Sequence, residues 1–136
     1  MATNNIKTQH QAFLHFFKQL DIEMVDMLLD ENRTYSDLKK SLFMTKLRNA
    51  FSQFIEAGDD CLISYQGACC SEECDSCGCS GFSFYGNNSR LFMDLIVKEE
   101  QGRVVDIYDC SDFKSSSPKR DFDKRIKIDR IEFPFQ

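Results

Sequence analysis

Apolar residues in the N-terminal half of the chain recur at the spacing of amphipathic helices. Residues 8–20 carry them at i, i+3 and i+4, which predicts a first helix with one stripe facing the core. A second, shorter helix is predicted over residues 22–29, with Asp21 at the capping position before it. The stripe of the first helix consists of Ala12, Phe13, Phe16, Phe17 and Leu20.

A third helix is predicted over residues 34–57. The Thr34 hydroxyl can accept a hydrogen bond from the first amides of this helix, and Asp37 favours the positive end of its dipole. Gly58 can adopt a positive φ at low cost, so we expect it to follow the last helical residue. The apolar stripe comprises Leu38, Leu42, Leu47, Phe51, Phe54 and Ile55.

The C-terminal half changes to an alternation of period two, which is typical of strands. The predicted strands cover residues 61–66, 82–85, 90–98, 103–110 and 123–131, and Gln101-Gly102 is expected to close a hairpin. Helices followed by antiparallel strands predict an α+β fold, with the N-terminal helices packed on one face of a curved, mostly antiparallel sheet. Residues 1–136 then form a single domain with a cysteine-rich loop at residues 67–80.

This order of elements resembles the NTF2-like, or cystatin-like, superfamily of α+β cones. The resemblance rests on element order and not on a motif, and the chain departs from it by a cysteine-rich loop between two sheet strands. It implies a pocket against one face of the sheet, where related enzymes place an acid or a base, and homodimers formed through the sheet. The elements that carry it are the Phe-rich first helix, residues 21–29, the helix after Thr34 and the hairpin of residues 91–110.

Composition and charge restrict the class of protein. The first seven residues lack an apolar signal region, and no apolar run approaches the roughly 18 to 20 residues of a membrane span. We therefore expect a soluble, cytoplasmic protein whose thiols stay reduced or bind metal. Residues 1–113 hold ten basic and 18 acidic side chains, whereas residues 114–136 hold seven and four. Charged and apolar residues alternate in this basic end, which predicts an edge strand and argues against a nucleic-acid partner.

Five of the seven cysteines lie within 11 residues, in the spacing C-C-x3-C-x2-C-x-C. Four thiolates that converge on one ion form a tetrahedral zinc site, and short C-x2-C loops favour this geometry. Cys74 and Cys77 have that spacing, and the other ligands are predicted to be Cys70 and Cys79, with Cys69 as the alternative to Cys70. An all-thiolate site leaves no open position for water, so we predict a structural zinc that holds the loop.

Other interpretations of the cysteines stay open. Cys61 or Cys110 could replace one of the four ligands. The odd number of cysteines and the missing export signal disfavour a disulfide framework, and the missing C-x2-C-x2-C run disfavours an iron–sulfur centre. Unliganded thiols in such a loop would be readily oxidised, and labile ones would indicate a redox or metal-handling protein.

Asp94 is a carboxylate within a strand that is apolar on both faces. With a two-residue turn at Gln101-Gly102 it lies opposite Asp109, and two facing carboxylates must share a proton, bind a cation or reach water. The NTF2-like resemblance places both in the implied pocket. The competing interpretation is that Asp94 is solvated at a bend of the sheet or paired with Arg90 or Arg103.

These observations favour a non-enzymatic binding or interaction module with a structural zinc. No residues complete an acid–base set, and His10 and His15 are expected as polar residues at the rim of the first helix. The alternatives are a pocket enzyme or small-ligand binder that uses Asp94, and a thiol redox or metal-handling protein. The expected partner is a protein or a small molecule, and neither a nucleic acid nor a membrane.

Overall fold

A computed structural model describes residues 7–68, 79–109, 114–115 and 122–128, in which helices precede a sheet. The first half holds the helices α1 (Gln9–Lys18), α2 (Ile22–Leu28) and α3 (Lys40–Glu56) and the short strands β1 (Thr34–Tyr35) and β2 (Leu38–Lys39). The second half holds β3 (Leu62–Ala68), β4 (Cys79–Gly86), β5 (Phe92–Glu100), β6 (Arg103–Asp109), β7 (Lys114–Ser115) and a 3₁₀ turn at Phe122–Lys124.

The main sheet has the strand order β6-β5-β4-β3-β7. All its strand pairs are antiparallel, and β3 to β6 follow one another as neighbours. The predicted turn at Gln101-Gly102 is confirmed, and both residues have positive φ, as a two-residue hairpin turn requires. β4 and β5 lie in the interior of the sheet, with paired strands on both sides.

The helices pack on one face of this sheet through phenylalanine rings. The ring centroid of Phe17 on α1 lies 4.6 Å from that of Phe84 on β4 and 5.0 Å from that of Phe51 on α3. These rings belong to one buried apolar cluster that also includes Met93 and Leu95 of β5. The contacts combine burial with tilted and edge-on ring packing. The predicted α+β fold, with N-terminal helices against an antiparallel sheet, is therefore confirmed.

Two predicted helix ends agree with the structure. Asp21 Oδ1 accepts a hydrogen bond from the Met24 amide at 3.2 Å, so it caps α2. Gly58 follows α3 with a φ of +97°, a conformation that residues with a side chain rarely adopt. Thr8 caps α1 in the same way as Asp21 caps α2, by accepting from the Gln11 amide at 3.1 Å.

The predicted start of the third helix at Thr34 is wrong. The β1–β2 hairpin occupies this position, with Tyr35 opposite Leu38, and α3 begins at Lys40. The two residues of its turn have φ of 56° and 63°, which suits a tight hairpin. Tyr35 and Leu38 are both buried and three residues apart. One face of a helix and two facing positions across such a turn share this spacing, so the apolar pattern fits both structures.

Distant contacts decide in favour of the hairpin. Tyr35 is fully buried with its ring centroid 5.6 Å from that of Phe43, and its hydroxyl accepts from the Asp30 amide at 2.9 Å. The Ser36 amide, in the hairpin turn, donates to Asp106 Oδ1 on β6 at 3.0 Å. A helix through these positions would lose both hydrogen bonds, and burial without a partner is costly for polar groups.

The end of the chain, predicted as a strand over residues 123–131, is not a regular strand where the structure describes it. After the 3₁₀ turn, Arg125 makes one parallel bridge with Phe92, and the Ile126 amide donates to the Phe92 carbonyl at 2.8 Å. The predicted alternation is confirmed in one respect, because Ile126 and Ile128 are buried. This segment lies beside the start of β5, beyond the point where β6 ends.

Lys40 is a buried cation that joins α2 to α3. Its Nζ donates to the carbonyls of Asp26 and Leu29, at 2.7 and 2.9 Å, and pairs with the carboxylates of Asp26 and Glu31. Burial alone would lower the pKa of Lys40, but the hydrogen bonds to Glu31 and Asp26 outweigh it and raise the pKa. A positive charge beside the last carbonyls of α2 also complements the helix dipole.

Asp59 connects the loop after α3 to the loop after β4. This buried carboxylate accepts from the amides of Asn88 and Ser89, at 2.7 and 2.6 Å, and from the Ser89 hydroxyl at 2.6 Å. It lies so close to Gly86 that a Cβ at that position would be 1.9 Å from Asp59 Oδ2. A side chain at position 86 would therefore displace Asp59 from its donors.

We expect Gly86→Ala to lower the free energy of unfolding by about 2 to 3 kcal/mol, because it leaves the donors of Asp59 without their acceptor. Urea unfolding at neutral pH measures this loss. The same substitution in an Asp59→Ala background should cost much less, since the obstructing carboxylate is gone. Equal losses in the two backgrounds would show that the close approach to Asp59 is not the cause.

Candidate functional site

Most of the predicted zinc ligands lie outside the described residues. Cys69, Cys70, Cys74 and Cys77 all do, and of Cys79 the structure gives the backbone, at the start of β4. Cys61 is described, as a free, half-buried thiol before β3. Within the ranges that the structure describes, no three His, Cys, Asp or Glu side chains are grouped so that they could hold a metal ion. The zinc site stays a prediction.

The expected pairing of Asp94 with Asp109 across the β5–β6 hairpin is wrong. The register shifts by one residue between Lys98 and Glu99, so that Leu95 lies opposite Asp109. Such a bulge adds one residue to one strand of the pair and moves every later partner by one position. The sequence of the turn predicts the start of the hairpin correctly and contains no signal of the bulge.

Asp94 is fully buried in the interior of the sheet, with 0% of its surface exposed. Ser83, directly opposite on β4, donates its hydroxyl to Asp94 Oδ1 at 2.6 Å. Nε of Arg125 lies 3.9 Å from Asp94 Oδ2, close enough for an ion pair but too far for a hydrogen bond. Among the described residues, the counter-charge of Asp94 is thus Arg125 and neither Arg90 nor Arg103, and the carboxylate is buried rather than solvated.

Asp109 approaches the same arginine from the end of β6. Its side chain is 16% exposed, its Oδ1 lies 3.4 Å from Nη2 of Arg125, and its Oδ2 accepts from the Ile128 amide. Burial raises the pKa of Asp109 to about 6, with a smaller contribution from the charge of Asp94, although Ile128 and Arg125 act in the opposite direction. One buried arginine therefore lies within ion-pair distance of two carboxylates. The sequence pattern instead predicts that these two carboxylates face each other.

Aromatic rings lie on the side of the sheet that carries Asp94. The rings of Tyr85 and Phe92, on strands next to each other and on the same side as Asp94, stack with centroids 5.0 Å apart. Asp94 and Asp109 border neither of two cavities whose lining lies within the described residues. One of these cavities is a polar cleft of about 300 Å³ around Lys40, whose charges are already paired with each other.

The other cavity is an open groove of about 470 Å³ between the end of α1 and the start of β3. It has an apolar wall from the strand and two basic side chains from the helix, and no acidic residue lines it. Ile63 is 45% exposed, a large fraction for an apolar side chain within a sheet strand. The lining residues are His15, Lys18, Gln19, Cys61, Leu62, Ile63 and Ser64.

Among the residues that the structure describes, the strand that forms this wall lacks a partner along part of its outer edge. β7 pairs with β3 at Gly67 and Ala68, and residues 62–65 have a described strand partner on the β4 side alone. The Asn87 amide donates to the Cys61 carbonyl at 3.1 Å, which fixes the alternation of the ladder. The backbone N–H and C=O groups of successive residues in an antiparallel strand face opposite sides. Because the Cys61 carbonyl faces the β4 side, the N–H and C=O groups of Leu62 and Ser64 face the outer edge of β3.

Sequence reasoning missed both this groove and the role of Arg125. His15 was expected at a polar rim, and the structure places it there, but no pattern indicated that Lys18 and Ile63 would meet at one groove. The alternation of residues 124–128 contains no signal that distinguishes Arg125 from Lys124 and Lys127. The partner of Arg125 could not be named without the tertiary structure.

Comparison of the chain with protein-family models, with curated proteins and with solved structures gives no match in any of the three. The NTF2-like resemblance is therefore neither supported nor opposed by a relative, and it stays a prediction. Among the described residues, no helix has the length and apolar character needed to cross a membrane.

We expect Asp109→Asn to change the pH dependence of stability. Since folding raises the pKa of Asp109 from 3.8 to about 6, this group favours the folded state below pH 3.8, and the benefit is lost as the pH rises through about 6. Asparagine keeps the acceptor oxygen and does not ionise. Relative to wild type, the variant should gain roughly 2 to 3 kcal/mol between pH 4 and pH 7.5, at 1.36 kcal/mol per pKa unit.

Urea unfolding across this pH range measures the difference between variant and wild type. Asp60→Asn is the matched control, because Asp60 is an exposed carboxylate in the loop before β3. Its difference from wild type should stay nearly constant with pH. A pH-independent difference for Asp109→Asn as well would contradict the assignment of a raised pKa to this carboxylate.

Proposed function

We propose that this protein is a non-enzymatic binding module whose cysteine-rich segment holds a structural zinc. The observation that carries the proposal is the internal pairing of its buried carboxylates. Asp94 and Asp109, the residues on which a pocket enzyme would depend, lie within ion-pair distance of Arg125 and accept hydrogen bonds from Ser83 and the Ile128 amide. A general acid or base must reach a proton of its substrate, and these groups face protein atoms instead.

Accessible groups of the described chain meet at the outer edge of β3. There a strand edge without a described partner, an exposed isoleucine and two basic side chains border one groove. Strand edges and grooves of this kind recognise extended segments of other proteins by main-chain hydrogen bonds and side-chain pockets. This surface supports a binding role, whereas a pocket enzyme that uses Asp94 gains no such support from the described residues.

The position of the cysteine-rich segment supports the zinc proposal. β3 ends at Ala68 and β4 begins at Cys79, and the ladder between them extends to Gly67 opposite Gly81. The segment thus starts and finishes on neighbouring strands, which brings its two ends close together. Cys70, Cys74, Cys77 and Cys79, with Cys69 in place of Cys70 as the alternative, are the proposed ligands. A closed four-thiolate site would hold this connection in place.

Metal analysis of freshly purified protein, combined with titration of its thiols, tests this proposal. We expect one tightly bound zinc per chain and no more than three reactive thiols out of seven. Cys77→Ser should release the zinc and expose further thiols, because one ligand is lost. Cys61→Ser is the matched control and should keep the zinc, since Cys61 lies before β3 rather than within the segment.

Metal-free protein in which most of the thiols react would contradict the structural zinc and favour a redox role. A zinc that survives Cys77→Ser but is lost in Cys61→Ser would show that the ligand set is different. Acceleration of a reaction that depends on Asp94, in protein of undiminished stability, would contradict the non-enzymatic assignment.

A further inference from the structure

Within the described residues, no strand pairs with the outer edge of β3 over residues 62–65. The backbone groups of Leu62 and Ser64 point away from β4, and the groove beside them is open. Exposed edges of this type add a further strand readily, and proteins usually cover or charge them when no partner is intended. Here residues 62–66 carry no charge at all, in a protein with 39 charged side chains, 17 basic and 22 acidic.

The charge of the groove indicates which partner fits it. His15 and Lys18 line it from α1, and none of its lining residues is acidic. Lys18 is half-buried, and in the described part of the chain no carboxylate lies within ion-pair distance of it. A carboxylate of a bound partner would form a stronger ion pair with this half-buried ammonium than with an exposed one, because the pair is then partly shielded from water.

A second copy of this chain is a poorer occupant than a different protein. If two β3 edges paired with each other, each would present Leu62-Ile63-Ser64-Tyr65-Gln66, which contains no acid. The two copies would also bring the same basic side chains to the shared edge, where like charges repel. The ladder with β7 at Gly67 and Ala68 further limits such a pair to a few residues.

From this geometry we infer that the edge of β3 over residues 62–65 binds an extended, acid-containing segment of a partner protein, which adds as a strand and pairs a carboxylate with Lys18. The inference rests on the proposed function as a binding module and names its partner class. Main-chain hydrogen bonds form with Leu62 and Ser64, and an apolar side chain of the segment contacts Ile63.

Selection from a phage-displayed library of random hexapeptides, with the intact protein as bait, provides the probe. We expect the selected peptides to contain Asp or Glu at one recurrent position, with β-branched residues around it. A selected peptide, synthesised with the acid and with the matching amide, is then titrated into ¹⁵N-labelled protein. The largest amide shifts should fall on Leu62 and Ser64, and the amide version should bind about 5- to 10-fold more weakly.

Two pairs of variants separate the charge from the strand edge. Lys18→Ala should weaken binding of the acidic peptide about 5- to 10-fold and leave the amide peptide unaffected, whereas Lys127→Ala, an exposed lysine beside β5, should change neither. Ser64→Pro removes an N–H at the outer edge without breaking the ladder with β4, so it should abolish binding. Ser64→Ala, which keeps that N–H, should bind like wild type, and amide spectra confirm that each variant is folded.

Several results would overturn this inference. One is a selection without acidic enrichment, or with none of the peptides bound at β3. Another is binding that Lys18→Ala and Ser64→Pro leave unchanged. A third is dimerisation that Ser64→Pro abolishes, which would identify a second copy as the occupant. None of these results bears on the zinc and thiol measurement, so the β3 site can fail while the proposed function stands.

Discussion

A carboxylate buried in the interior of a sheet requires a counter-charge, and this requirement shapes the C-terminal half of the protein. Asp94 lies on β5 with no exposed surface, and an ion taken out of water must be paired or hydrogen-bonded. Ser83 provides the hydrogen bond and Arg125 the charge. Arg125 also contacts Asp109, at the end of β6. The last described segment is therefore held against β5 by charge as well as by the burial of its isoleucines.

The buried charged groups of the described chain interact with other parts of the fold, and they differ in this from the groups at the surface. The buried ions Asp59 and Lys40 are likewise used within the fold, where each joins a loop or helix end to a neighbouring element. Removing the partner of such a buried charge lowers the free energy of unfolding, because the charge is then left unpaired inside the protein. The groove beside β3, by contrast, is accessible, and it combines basic side chains with a strand edge that has no partner among the described residues. The proposed binding function rests on this difference between the internally paired buried charges and the accessible groove.

The sequence predicts the fold class because the apolar periodicity is strong, and it identifies Asp94 because a carboxylate among apolar neighbours is conspicuous. It fails where two structures share one pattern, as at Tyr35 and Leu38, whose spacing suits both a helix and a hairpin. It also fails where one residue alters a register, as at the bulge after Lys98. The pairing of Arg125 and the groove beside β3 depend on contacts between distant segments, which no local pattern contains.

The coupling between Asp94 and Arg125 is the most direct test of this account. Urea unfolding of Asp94→Asn, Arg125→Met and the double variant completes a double-mutant cycle, in which asparagine can still accept from Ser83. The account predicts that each single substitution is strongly destabilising and that the two are coupled by about 1 to 3 kcal/mol, so that the double variant loses less than the sum. Additive losses, with a coupling energy near zero, would show that Arg125 does not neutralise Asp94.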